Sequence, residues 1–228
     1  MALVLLGGGL GLAFKGFISD RLMSILTHAL GLCVLAIGIG NATGTQDMLC
    51  VIVCMVIGTI IGNAIGIERR LEGIGEWFKG RIPSNGSGTS TFVEAFVTAS
   101  LLFCVGAMAI VGSLEDGLNA NPSILFAKSV MDGVAAVVFT ASLGAGVYLS
   151  ILALLVYQGG ITLLAGFIRP FLSDLLIGQM SCIGSILIFA IGFNLLDSKK
   201  IKVGNLLPAM FLPIPFLWLK SIFPWLPW

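Results

Sequence analysis

Lys128 and Asp132 stand four residues apart inside Ser123–Leu143, a stretch that is otherwise almost wholly apolar. On a helix that spacing places both side chains on one face, within reach of each other. An ionisable group in such a run is costly unless it finds a partner or a water-filled cavity. The pair therefore has two readings: a self-neutralising tie within one helix, or a site where a solute or proton displaces one partner. Ser129 beside Lys128, and Thr98 and Ser100 in the preceding apolar run, add hydroxyls that either bind ions or bond back to their own helix. Glu94 is a further carboxylate in an apolar setting. Thr91-Phe92-Val93-Glu94 fits the Ser/Thr-x-x-Glu capping box, which satisfies free N–H groups where a helix starts. The Gly/Ser-rich run from Ser84 to Ser90 leads into that start, a place that attracts anions but is more often a plain linker. Asn205-Leu206-Leu207-Pro208 opens a segment interrupted again at Pro213 and Pro215. Proline removes a backbone donor, and at membrane depth the freed carbonyls must be satisfied or line a cavity. Asn205 is thus a candidate beside a broken helix.

Other reactive side chains are sparse. His28 stands alone as the one histidine, and Cys33, Cys50, Cys54, Cys104 and Cys182 show neither CxxC nor Cys/His metal spacing. They read as small apolar side chains in packed helices, with His28 a helix-contact residue. No metal or cofactor is expected. Without a nucleophile–base constellation, an enzyme is not expected either.

The elements that position these residues follow from composition. Of 228 residues, 57% are hydrophobic and 10% charged, and the mean hydropathy is +1.08. Soluble domains carry about 25% charged residues. This balance excludes a water-soluble enzyme, a nucleic-acid binder and a disordered chain, and leaves an integral membrane protein. A bilayer core of about 30 Å needs about 20 apolar residues of helix. Leu22–Gly40, Met48–Ile67, Phe92–Leu114, Ser123–Leu143, Val147–Ile168, Leu175–Leu196 and Val203–Leu219 qualify, preceded by a short Ala2–Phe14 that reads as a truncated first span rather than a signal peptide. The expectation is an all-α bundle of about eight transmembrane helices.

Charge supports that arrangement. Lys15, Arg21, Arg69, Arg70, Lys79, Arg81, Lys199, Lys200 and Lys202 all follow odd-numbered spans, and so fall on one side. By the positive-inside rule that side is cytoplasmic. A repeat adds to it. Phe17–Gly40 aligns without a gap on Phe171–Asn194, with Phe17/Phe171, Ser19/Ser173, Asp20/Asp174, Leu22/Leu176, Ala36/Ala190, Ile37/Ile191 and Gly38/Gly192 identical. Ser-Asp is a helix-start signal in both copies. The copies would be spans 2 and 7, which run in opposite directions. The chain then divides 3+2+3: residues 1–67 as a first three-helix unit, 68–91 as an amphipathic segment and polar loop, 92–146 as a central pair, and 147–228 as an inverted second unit. Inverted repeats are a common plan of secondary transporters, with the solute site near the midplane. Gly58, Gly62 and Gly66 recur every four residues, a stripe for close helix contact within the subunit or across a homo-oligomer.

Phe96–Leu118 (FVTASLLFCVGAMAIVGSLEDGL) resembles the YqgA/YdfK-like bacterial inner-membrane proteins, the domain of unknown function 554. Ile67–Leu71 (IERRL), Lys128–Gly133 (KSVMDG), Gln158–Leu164 (QGGITLL) and Lys200–Pro208 (KIKVGNLLP) extend the resemblance over nearly the whole chain. It implies a bacterial plasma-membrane protein, often described as a possible transporter, with no substrate attached. The expected function is a small secondary transporter or ion-coupled carrier, its pathway drawn from Lys128, Asp132, Glu94, Thr98, Ser100, Ser129 and Asn205. An oligomeric channel and a non-transporting membrane scaffold are the alternatives. The expected partners are the lipid bilayer and a small solute or ion.

Overall fold

The computed structural model describes residues 1–15, 20–42, 47–71, 73, 89–104, 107–196 and 201–222, and all regular structure among them is helical. In chain order the helices are α1 (Ala2–Lys15), α2 (Asp20–Ala42), α3 (Met48–Ile65), α4 (Thr89–Cys104), α5 (Ala107–Asn119), α6 (Ser123–Leu143), α7 (Leu149–Leu163), α8 (Ala165–Ile168), α9 (Asp174–Leu196) and α10 (Pro213–Ile222). Three 3-10 segments join them: Ala145–Tyr148, Arg169–Phe171 and Val203–Phe211. Four segments are long and apolar enough to cross a membrane, namely Met48–Ile65, Ser123–Leu143, Ala145–Leu163 and Asp174–Leu196. A fifth arises if Phe92–Cys104 and Met108–Asn119, bent by 58° to one another, form one span. Ala2–Ala13, Ser24–Gly40 and Val203–Leu219 are apolar but shorter.

Local chemistry sets the helix ends. Asp47 caps α3, its carboxylate accepting from Cys50 N at 3.0 Å, which satisfies one of the donors left over at a helix start. Gly66 stops the same helix in the left-handed region at φ 68°, where a Cβ is disfavoured, and donates back to Asn63 and Gly62. It has open space where a Cβ would lie. Gly66 is thus a helix stop, and the contact stripe expected of Gly58, Gly62 and Gly66 ends at Gly62. Ser173 caps α9 through Leu176 N at 3.2 Å, as its Ser-Asp sequence predicts. The matching Ser19 of the first copy lies outside the described residues, as do the basic loop of 74–88 and most of the amphipathic segment. The last span departs from an α-helix. Val203–Phe211 is 3-10, with Pro208 inside it, and α10 restarts at Pro213. A ring without an N–H favours the tighter winding over a regular i→i−4 ladder.

α9 is the centre of the bundle. Of its span, 72% is buried, against 28% for α3. Its sequence is apolar all round, as a helix enclosed by others must be. α2 runs antiparallel along it: Gly31 lies against Leu195 and Leu196, Gly38 against Phe189, and Gly192 against Leu35. At the α2–α9 end Cys182 Sγ donates to Ala42 O at 3.1 Å. α3 presents Cys50, Cys54, Gly58 and Gly62 as one buried stripe and crosses the 3-10 helix Val203–Phe211 in the antiparallel sense, Gly58 on Ala209 and Gly62 on the Asn205 carbonyl. α1 runs parallel to α6, with Gly7 on Gly133 and Gly11 on Val137 and Thr140. The α4–α5 pair lies parallel to the segment from Ala145 to Ile168, with Gly146 on Phe92 and Gly117 on Thr162. Hydrocarbon gives helices no hydrophobic reason to associate, so close approach at small residues supplies the attraction.

Two of the three glycines of α9, Gly178 and Gly192, separate packing from propensity. A Cβ on Gly192 would lie 2.8 Å from Leu35 N and force the α2–α9 contact apart, whereas one on Gly178 meets nothing within 4 Å. Gly192→Ala is expected to cost about 1–3 kcal/mol. Gly178→Ala should be neutral, or stabilising by up to about 1 kcal/mol through the better helix former. Thermal unfolding of both purified variants in one detergent measures the contrast.

Candidate functional site

The Lys128–Asp132 pair forms as its spacing predicts: Lys128 Nζ donates to Asp132 Oδ2 across one turn of α6. Both residues are buried. α6 packs against α4, and Cys104 on α4 lies within electrostatic reach of both charges. Ser129, next in sequence, is half-buried. The pair lines neither of the two cavities described below. Its geometry is that of a closed intrahelical tie.

The polar groups that do surround a cavity lie elsewhere, where four segments end or begin. Gly66 halts α3, and the helical turn at 67–71 starts with donors that have no acceptor in the preceding helix. Asn205 supplies one, its Oδ1 accepting from Glu68 N at 3.0 Å. Glu68 returns the favour: its Oε2 accepts from Gly204 N at 2.7 Å, at the start of the 3-10 helix. Two helix starts thus cap each other across more than a hundred residues of chain. Glycine at 204 leaves room for this arrangement. A Cβ there would sit 2.5 Å from Glu68 Oε2 and 2.9 Å from Leu71 Cδ1. Near the end of α9, Asn194 clamps the returning chain with two bonds. Its Oδ1 accepts from Ile201 N at 2.7 Å, and its Nδ2 donates to Ile201 O at 2.8 Å.

These clamps leave a cavity of about 180 Å³ between the segments. Glu68, Glu94, Thr98, Asn194, Lys202 and Gly204 form its polar wall, and Val93, Val97, Ile191, Ile201 and Val203 the rest. Glu94 is half-buried and Thr98 is 2% exposed. Because α4 begins at Thr89, Thr91 and Glu94 both lie inside it, and the expected capping box is not at the helix start. Glu94 instead faces the cavity one turn from Thr98. A second cavity, of about 210 Å³, adjoins the first, with Val97 in the wall of both. Its lining is apolar apart from Ser100, Cys104 and Tyr157. Ser100 Oγ, Tyr157 Oη and both side-chain polar atoms of Gln179 are buried and have no hydrogen-bond partner among the described residues.

The structure thus separates the residues that sequence placed together. Glu94 and Thr98 share the polar cavity, with Asn205 anchoring its wall. Ser100 lines the apolar one. Lys128, Asp132 and Ser129 stand apart from both. Sequence reasoning missed Glu68, Asn194 and Lys202. Glu68 read as the first residue of a surface segment and Lys202 as a topology charge. Their one visible signal was position, each at a predicted span boundary. His28, expected as a helix-contact residue, is exposed on α2.

Apolar helices around a polar cavity define the class: an all-α integral membrane protein. The chain belongs to the family described as protein of unknown function DUF554, whose profile matches residues 1–218. It is 30% identical over 215 residues to the uncharacterized membrane protein YdfK of Bacillus subtilis (strain 168), covering 92% of this chain and 90% of that one. It is 28% identical over 214 residues to the uncharacterized protein YqgA of Escherichia coli (strain K12), covering 93% and 91% respectively. No solved structure matches it significantly.

Breaking a buried ion pair leaves one charge without a partner, at a cost of about 3–5 kcal/mol, whereas replacing both ions with apolar groups is often neutral or stabilising. Asp132→Asn is expected to lose about that much stability. The double variant Lys128→Met/Asp132→Leu should recover it. Denaturant unfolding in detergent compares the three proteins, and a fully stable Asp132→Asn would contradict the tie.

Proposed function

We propose that this protein is a small secondary transporter of the bacterial inner membrane, with its solute site at the cavity of Glu68, Glu94, Thr98, Asn194 and Lys202. The observation that carries this reading is the cavity itself. In a chain with 10% charged residues, Glu68, Glu94, Asn194, the buried Thr98 and the exposed Lys202 all line one space of about 180 Å³. These groups gather near span boundaries, where a solute path through the bundle would open, and ionisable groups lining such a path are a mark of solute or ion transport. Irregular backbone is tolerated there when it lines a cavity, and the wall here includes the start of a proline-containing 3-10 helix.

The proposed architecture is eight spans in a 3+2+3 order, with two inverted three-helix units. Support comes from the α2–α9 contact. In the repeat alignment Gly38 corresponds to Gly192 and Leu35 to Phe189. The Gly38–Phe189 approach is therefore the image of the Gly192–Leu35 approach, as a two-fold axis in the membrane plane requires. The directions of the helix pairs agree with eight alternating crossings: first with fifth and fourth with sixth parallel, second with seventh and third with eighth antiparallel. The cavity then lies where the segment that follows the first unit (Glu68), the central pair (Glu94, Thr98) and the second unit (Asn194, Lys202) meet, beside the junction used by carriers built from repeats. Arg69, Arg70, Lys199 and Lys200 flank this end of the bundle in sequence, which assigns its mouth to the cytoplasmic side by the positive-inside rule. Transport fits better than catalysis, because the lining brings no imidazole or metal-ligand set to a nucleophile.

Proteoliposomes containing the protein should show saturable counterflow with at least one member of a panel of amino acids, organic acids, polyols and monovalent cations. Glu94→Gln and Thr98→Val should each lower that flux by tenfold or more while the proteins stay folded. Unaltered flux in both variants would move the pathway away from this cavity, and non-saturable current would point to a channel.

A further inference from the structure

The two cavities differ in chemistry and share a wall. The first is polar on one side, and the second is bounded almost wholly by carbon, with Phe96, Leu207 and Met210 among its walls. Val97 on α4 belongs to both, and Thr98 and Ser100 stand within one turn of it on either side of the divide. One helix therefore lines a polar cavity and an apolar cavity in succession, and Val97 belongs to the wall of both. A solute confined to the first chamber would leave the second without a role. The apolar cavity, of about 210 Å³ and open on one side, has room for a branched or cyclic hydrocarbon group of about six carbons, since about 150 Å³ of enclosed apolar space admits a benzene ring.

We infer that the transported solute is a small amphipathic zwitterion of the amino-acid type, its charged head in the Glu94–Lys202 chamber and its hydrocarbon side chain passing Val97 into the Leu207–Met210 chamber. The inference rests on the transport reading and gives it a substrate class. The polar chamber is lined by residues of both signs, as a zwitterion needs: Glu68 and Glu94 in its wall and Lys202, exposed, at its rim; an ammonium or a carboxylate would exchange with the partners these side chains already have. Thr98, buried among them, adds a hydroxyl that donates or accepts. The apolar chamber supplies selectivity by length. Each methylene moved from water into it gains about fourfold in affinity, until the space is filled.

The test is a binding ladder on the purified full chain in lipid nanodiscs, with glycine, alanine, valine, leucine and phenylalanine as probes and equilibrium dialysis as the readout. Affinity is expected to climb by about fourfold per methylene from glycine to leucine. Leu207→Phe, which narrows only the apolar chamber, should compress the leucine-to-glycine ratio by tenfold or more. Val97→Phe should do the same from the opposite wall, and serves if Leu207→Phe does not fold. An affinity that does not depend on chain length, or a ratio that survives both variants, overturns the inference. Saturable flux of other solutes in proteoliposomes, without binding of any probe, also overturns it while leaving the transport reading in place. A ladder that responds to both variants without flux of any probe upholds the two-chamber site and sinks the transport reading instead.

Discussion

The constraint on which the rest depends is that hydrocarbon offers helices no hydrophobic reward for associating. Lipid tails are as apolar as leucine, so attraction must come from backbone approach and from polar groups that need one another. Backbone approach here is made at glycine. Gly7 and Gly11 bring α1 onto α6, Gly38 and Gly192 bring α2 onto α9, and Gly58 and Gly62 bring α3 onto the 3-10 helix. At these points a Cβ would lie within or near the van der Waals surface of a neighbouring main chain. These glycines, a fraction of the 30 in the sequence, are in this sense the adhesive of the bundle. The exposed leucines, isoleucines and phenylalanines face outward, where lipid solvates them.

Close packing has a consequence for the polar groups. Helices pressed together at glycine leave little space except where a helix stops, and stops expose donors and acceptors that hydrocarbon cannot satisfy. Gly66 creates one such stop and the start of the 3-10 helix another. The mutual capping by Glu68, Gly204 and Asn205 answers both at once. The Asn194–Ile201 clamp does the same near the end of α9. The cavity is what remains between these solutions. Its polarity follows from the need to satisfy the donors and acceptors exposed where helices end, and the same polarity is what a solute would use.

Lys128 and Asp132 illustrate the opposite outcome. Two charges one turn apart on a single helix satisfy each other without help from another element, and their burial against α4 closes the site. A pair that completes itself has little left to offer a ligand. Glu94 and Thr98 are also one turn apart, but they meet other elements of the bundle at a shared cavity.

The sequence by itself determined whatever depends on nearest neighbours along the chain. Apolar length and the scarcity of charge dictated an all-helical membrane protein. Helical spacing dictated the Lys128–Asp132 pair, Ser173 dictated the start of α9, and the prolines from Pro208 onward dictated an irregular last segment. Each of these is settled within four or five residues, or by composition. The tertiary structure decided what depends on meetings between distant segments. Glu68 finds Gly204 and Asn205 only once α3 lies on the 3-10 helix, and the polar cavity exists only where α4 and α9 arrive beside them. Gly58 and Gly62 became contact points while Gly66 became a stop, because the partner's backbone reaches the first two and not the third. Nothing in four-residue spacing encodes where a crossing ends. That is set by the path of another helix, and that path is fixed by the packing of the whole bundle.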